Sequence, residues 1–187
     1  MDNQRTELGN LLYKIVTPAA IYVAKHPKLF YILSYTWGLL TTLGGWVLYA
    51  GPRIYFGKEA EKGKFYTANY LKFGINWGGL ECGTNFLVSD EMGDDFTIHT
   101  LCHEYGHTCQ NAVMGPFALF LCFIPSMIRY WSRRSSKTKP KKAYDAFWAE
   151  GSASYIGEFI YSEQEKKDYF YYTKDFGKNP NFGKDLY

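Results

Sequence analysis

The sequence is short of cysteine and histidine and lacks a strong charge of either sign. Its four cysteines, Cys82, Cys102, Cys109 and Cys122, form no CxxC pair. Cys102 and Cys109 are seven residues apart on one helical segment, which holds their Cα atoms about 10 Å apart, beyond disulfide reach. A disulfide scaffold is excluded, and the thiols are expected to be reduced. Lys and Arg number 21 against 18 for Asp and Glu, a net charge of +3, too small an excess to point to nucleic acid. Internal repeats are absent. A cleaved signal peptide is not expected either, because MDNQRTELGN carries two acids and no apolar run. Apolar and aromatic residues are plentiful, at 47% and 19% of 187 residues. That is enough for the core of a single domain and too much for a disordered chain.

No charge interrupts residues 29–52, LFYILSYTWGLLTTLGGWVLYAGP, a run of 24 residues, enough for roughly 30 Å of hydrocarbon. Aromatics flank it (Phe30, Tyr31 and Tyr35 before, Trp46 and Tyr49 after), and Gly38, Gly44 and Gly45 leave room for a close helix contact. This run is expected to be an apolar N-terminal helix that spans the membrane or is embedded in it. The competing reading is a buried hairpin broken at Gly44 and Gly45. Residues 8–24 read as a helix kinked near Pro18, able to pack against or lie on a membrane. The expected location is therefore membrane-associated, or otherwise cytoplasmic.

Residues 51–63 read as a polar connection, and the Gly-punctuated aromatic run 65–87 as two short strands, 69–76 and 81–88, joined by a turn at Trp77, Gly78 and Gly79. Asp94 or Asp95 can cap a helix from Phe96 to Met114, which Gly115 and Pro116 end. An apolar segment, Phe117–Trp131, follows with Pro125 as a kink, either re-entrant or a buried core helix. The basic run 133–142, RRSSKTKPKK, reads as a solvated loop, with attraction to anionic lipid headgroups as its rival and nucleic acid disfavoured for want of a binding motif. Tyr144–Ile160 reads as a further helix. Ser162 with Glu165 forms a capping box for a last short helix to Tyr172, and the tail from Gly177 is loose. The expected fold class is α+β: a mainly helical, minimal zincin-like core with a small β hairpin or sheet. One domain is expected over 1–187, with an apolar helical part at 1–64, a catalytic part at 65–172 and a tail at 173–187.

The chemistry concentrates in His103, Glu104, Tyr105, Gly106 and His107, HEYGH. Residues i and i+4 share a helix face about 6 Å apart, so the two imidazoles can point at one ion. Zinc takes neutral nitrogen donors and prefers four ligands, so a third protein group and a water are required. Glu104, one residue round the helix, can reach that water as a general base without being a ligand. Gly106 lets another backbone or a substrate come close. No histidine follows His107, so the third ligand is expected to be an oxygen from YDAFWAEGSASYIG. Glu150, set among small and apolar residues, is the first choice, with Asp145 and Glu158 as alternatives. His99, a turn before His103, is a candidate to line the cleft or to support a ligand from behind. Tyr144, Tyr155 and Arg129 are candidate donors to a developing oxyanion.

HEYGH at 103–107 with EGSA at 150–153 resembles the gluzincin class of zinc metallopeptidases. Over most of the chain, through SYTWGLLTTLGG, NWGGLECG and GHTCQNAVMGPFALFLCFIPSMIRYW, the sequence is also similar to a set of largely uncharacterised bacterial metallopeptidase-like and membrane proteins. The resemblance implies that His103, His107 and Glu150 hold zinc and that Glu104 activates water for hydrolysis of a peptide or protein substrate. Gluzincins often place an Asp directly after the Glu-x-x-Ala motif to orient a ligand histidine, whereas this chain has Ser154. Two other functions stay open from sequence: a non-catalytic zinc-binding membrane or scaffold protein, and a metal-dependent hydrolase of a non-peptide substrate. The 81–88 strand is expected to wall the cleft and to pair with an extended peptide.

Overall fold

The computed structural model describes residues 6–56, 60–74, 78–90, 94–135 and 144–169. It is mostly helical with one small mixed sheet, an α+β arrangement. Three N-terminal helices, α1 (Glu7–Ala24), α2 (Pro27–Tyr35) and α3 (Leu39–Phe56), precede four strands, β1 (Glu61–Phe65), β2 (Ala68–Phe73), β3 (Gly79–Cys82) and β4 (Asn85–Ser89). Helix α4 (Asp94–Met114) follows, then a π-helical turn (Leu119–Phe123) leading into α5 (Ile124–Ser135), a 3₁₀ turn (Tyr144–Ala146) and α6 (Trp148–Glu165).

The uninterrupted apolar run is not one spanning helix. It breaks at residues 36–38, where the Gly38 amide closes α2 on Leu33 O and the Thr42 hydroxyl donates to Ser34 O. Among the described residues no helix is long and apolar enough to cross a membrane. The glycines serve a different contact from the one expected. A Cβ on Gly45 would run into the Cys82 carbonyl, so α3 lies with its backbone directly on the β3–β4 hairpin. Helix α1 is capped by Thr6, whose hydroxyl accepts from Gly9 N, and it continues through Pro18 as one element.

The sheet order is β1-β2-β4-β3. Two antiparallel hairpins, β1–β2 and β3–β4, are joined by parallel pairing of β2 with β4. This corrects the expected hairpin between 69–76 and 81–88. The turns fall at Tyr66–Thr67 and Gly83–Thr84, and the predicted strand 81–88 is folded back on itself. Gly83 holds φ at 66°, a left-handed value that a side chain resists, and a Cβ there would also meet the Thr41–Thr42 backbone. The polar connection before residue 65 contributes β1, and Trp77 lies outside the described residues.

Helix α4 matches its expected span and ends at Gly115, whose φ is 55° and whose amide closes on Asn111 O. The caps expected from Asp94 or Asp95 rest on side chains outside the described set. Past Pro116 the chain is not one buried core helix: Ala118 and Cys122 pack into a core cluster with Val16 and Met114, and the rest is half-buried or exposed. Pro125 has no N–H to donate, and the preceding amide, Ile124 N, reaches back five residues to Leu119 O, widening the helix into the π turn. Helix α5 then buries none of its residues. The proposed capping box at Ser162 does not form, because Ser162 sits inside α6 and its hydroxyl bonds both the amide and the carbonyl of Tyr169. No separate short helix follows over the described residues: α6 itself runs to Glu165, Lys166 turns left-handed at φ 53°, and 167–169 are not helical. The rest of that expected helix, the loose tail and most of the basic run lie outside the described residues.

The N-terminal part is not a separate layer. Ala20, Val23 and Phe30 of α1 and α2 share one core with Phe86 and Val88 of β4, Tyr105 and Cys109 of α4 and Ile156 and Ile160 of α6. Each large side chain buried there contributes about 1.5–3 kcal/mol. Tyr105 anchors the back of α4, with its ring edge-on to Phe65 and Tyr66 and its hydroxyl bonded to Thr67 Oγ1 at 3.0 Å. That fixes the rotation of α4 and turns its histidines toward the opposite side.

Candidate metal centre

Helices α4 and α6 cross with almost nothing between their backbones. A Cβ on Gly106 would overlap the Ala153 carbonyl, and one on Gly157 would overlap the Cys102 carbonyl. Gly106 therefore admits a neighbouring backbone, as expected, and the cost of a glycine inside a helix, about 1 kcal/mol, is offset by what the approach allows. Glu150, on the first turn of α6, is carried up to the face of α4 that bears His103 and His107. The structure brings these three together, and among the described residues they form the one group of metal-ligating side chains clustered tightly enough to hold an ion.

The distances fit a small cation. Nε2 of His103 and Nε2 of His107 are 3.2 Å apart, and Glu150 Oε2 lies 3.0 Å from the first and 3.4 Å from the second. A tetrahedral ion with bonds of about 2.0–2.1 Å needs ligand-to-ligand edges of about 3.3–3.4 Å. Two imidazoles and one carboxylate form a donor set that could hold a divalent transition-metal ion.

The groups behind the histidines decide which nitrogen is available. Gln110 donates its Nε2 to Ala149 O at 2.9 Å, so its Oε1, 2.9 Å from His107 Nδ1, accepts from that ring. The Ser154 hydroxyl donates to Asp145 Oδ2 at 3.3 Å, so its oxygen, 2.9 Å from His103 Nδ1, accepts from the other ring. Both neutral rings thus carry their proton on Nδ1 and aim the Nε2 lone pair at the Glu150 carboxylate. Three acceptors then converge in a buried space, an arrangement that calls for a positive charge. Without a metal, protons meet that need. Burial opposes charging His107, but Glu150, Glu104 and Glu81 outweigh it and lift its pKa to about 9. Glu150 is likewise held well below the usual carboxylate range, since the two histidines overcome the effect of burial.

Ser154 therefore holds the His103 ring from behind, with Asp145 one step further back. Asp145 is not one of the three clustered groups. Burial raises its pKa to about 6, against the pull of His103 and Ser154.

Glu104 is buried on the wall of the same cavity and is not one of the three clustered groups. Burial, reinforced by Glu150 and Glu81 and opposed by His107, raises its pKa to about 8. Its carboxyl group packs against Gly79 of β3, where a Cβ would collide with it. The cavity has a volume of about 490 Å³. β3 forms one wall and the π turn with α5 another, supplying Leu119, Phe123 and Met127.

The remaining candidates divide. Tyr144 lines the cavity. Arg129 and Tyr155 do not: Arg129 donates its Nε to the Tyr144 carbonyl at 3.1 Å, and the Tyr155 ring lies tilted against Phe159. His99 is buried one turn below His103 and its Nδ1 lies 3.4 Å from Glu158 Oε1, too long for a well-formed hydrogen bond. Burial holds its imidazole neutral, with the pKa pushed down to about 3, and neither His99 nor Glu158 lines the cavity. Sequence reasoning missed Glu81 and Asn111. Glu81, on β3, accepts from Asn111 Nδ2 at 2.9 Å inside the cavity wall, and burial raises its pKa to about 7. An acid in a strand with no apolar alternation around it gave no signal of its own. The chain matches no family model, no curated protein and no solved structure.

Proposed function

We propose that the chain is a zinc-dependent metallopeptidase, with His103, His107 and Glu150 holding the ion and Glu104 as general base. The observation that carries this reading is the convergence of two Nε2 lone pairs and one carboxylate oxygen at tetrahedral spacing, with both Nδ1 protons committed to Ser154 and Gln110. His103, His107 and Glu150 would hold the ion, which would supply Lewis acidity for activating water and polarising a substrate carbonyl. Burial raises the proton affinity of Glu104, and a cation bound beside it would favour the carboxylate again, leaving it able to take a proton from water. It then carries that proton to the departing amine. β3 is the outer strand of the sheet next to Glu104, and its outer edge, unpaired by any other described strand although α3 covers it at Cys82, suits an extended peptide. Tyr144 is the one expected oxyanion donor that reaches the cavity.

The test is metal content and peptide hydrolysis measured separately on the wild type and Glu104→Gln. The expected result is one zinc per chain in both proteins, with turnover falling by about 10²–10⁴ in the variant. Full activity in the variant removes Glu104 from the chemistry, and a wild type without metal overturns the reading. A second reading, hydrolysis of a non-peptide amide or ester, is favoured by the apolar wall of Leu119, Phe123 and Met127 and is separated by product analysis. Retained zinc with no hydrolysis of any substrate leaves the non-catalytic zinc protein.

A further inference from the structure

Two helices present apolar stripes to solvent. On α3 the stripe has helical spacing, with Leu40, Leu43, Val47 and Ile54 all exposed, Leu40 at 68% and Val47 at 74%. On the π turn and α5 it runs through Phe120, Ile124 and Ile128 to Trp131, with Phe120 at 63% and Ile128 at 65%. The stripes are joined where the half-exposed rings of Trp37 and Phe117 meet at 5.9 Å. Isolated exposed apolar residues are ordinary, but a connected surface of this extent marks a contact.

Its chemistry indicates the partner. No acidic residue occurs from residue 8 to 58 or from 105 to 144, the two stretches that build this face. Helix α5 ends in Arg133 and Arg134 beside Tyr130 and Trp131, with the Arg134 guanidinium 5.9 Å over the Trp131 ring and donating to Tyr130 Oη. Exposed leucine, isoleucine and phenylalanine bordered by Trp, Tyr and Arg suit a surface that is apolar beneath and anionic on top. A protein partner would need acids set against Arg133 and Arg134 and an apolar surface matched to both stripes, whereas a bilayer with anionic headgroups offers both without a matched shape.

We propose that this face docks on an anionic lipid bilayer, lying in the interface without crossing it. The cavity then opens onto the lipid surface, because Met127, Trp131 and Arg134 both line it and are exposed. A substrate reaches the metal centre from the membrane side. The docking surface does not depend on the site being a peptidase.

The experiment is flotation of the purified full-length chain with vesicles of phosphatidylcholine alone, and of phosphatidylcholine with phosphatidylglycerol, at low and high salt. The expected result is binding to the anionic vesicles, weaker by about tenfold or more on the neutral ones and weakened by salt. Leu40→Glu with Val47→Glu, and separately Phe120→Glu with Ile128→Glu, each cut the bound fraction at least about tenfold. Both pairs keep the wild-type circular dichroism and zinc content, since none of the four residues lines the cavity. Absence of vesicle binding overturns the proposal, as does binding that neither pair weakens. So does a dimer in solution that both pairs dissociate while vesicles stay unbound, because the face would then cover a second copy of the chain.

Discussion

Two buried histidine–carboxylate groups lie along the same seam between α4 and α6. The upper one joins His103 and His107 to Glu150, and the lower one places His99 beside Glu158, one turn back on α4 and two turns on along α6. Both are made of the same side chains, and both are shut in by glycines that let the helices touch. They differ in what stands behind the rings. The upper histidines have their Nδ1 protons taken by Gln110 and Ser154 and turn their lone pairs to one point on a cavity wall. The lower histidine is 3% exposed, its contact with Glu158 is long, and burial holds it neutral. A buried histidine next to an acid is therefore not enough for a metal centre; fixed tautomers, ligand spacing and an opening make the difference.

The sharpest way to break this comparison is to neutralise one carboxylate in each group. Glu150→Gln should lower zinc affinity more than about 100-fold, beyond what groups behind the ligands contribute, whereas Glu158→Gln should keep one zinc per chain. Loss of metal from both folded variants would erase the distinction. Ser154→Ala tests the upper group from behind. It frees the His103 ring and is expected to weaken zinc by about 10–100-fold in a chelator competition, with the protein still folded.

The smallest effect concerns the lower group and appears in the metal-free protein. Its histidine has a pKa of about 3 when folded and about 6.5 when unfolded, so below pH 6.5 the unfolded chain takes up the extra proton. Stability from His99 is therefore complete above about pH 6.5 and drains away as the pH falls toward 3. Between pH 7 and pH 5 the loss is about 2 kcal/mol. Urea titrations at the two pH values should show that loss in the wild type and a smaller one in His99→Gln. Equal losses in both proteins would show that His99 does not set the acid sensitivity.

Much of the upper group was legible in the sequence because it rests on local rules. The i, i+4 spacing put His103 and His107 on one face, Gly115 and Pro116 marked the end of α4, and the small residues around Glu150 signalled a tight helix contact. Ser154 looked like a departure because sequence shows the residue present and not the Asp145 carboxylate folded in behind it. The sheet was harder to read. The parallel pairing of β2 with β4 joins residues 16 apart in register, and nothing local to either strand announces it. Gly78 and Gly79 look like the turn of a hairpin; the chain does reverse between β2 and β3, but those strands do not pair, Gly79 makes room for Glu104, and the hairpin turn sits at Gly83. The apolar run at 29–52 has the composition of a spanning helix, but a composition average does not register the three residues at 36–38 that turn the chain.

The tie between His107 and Glu150 joins positions 43 residues apart, and the whole of α5 hangs in that interval. An ion held at both ends binds only the folded chain, so its binding free energy stabilises the closed arrangement of that interval and is lost when the ion is removed. Chelation should thus loosen first the segment between these anchors, making Phe117–Ser135 the place where proteases cut a stripped sample and spare a loaded one.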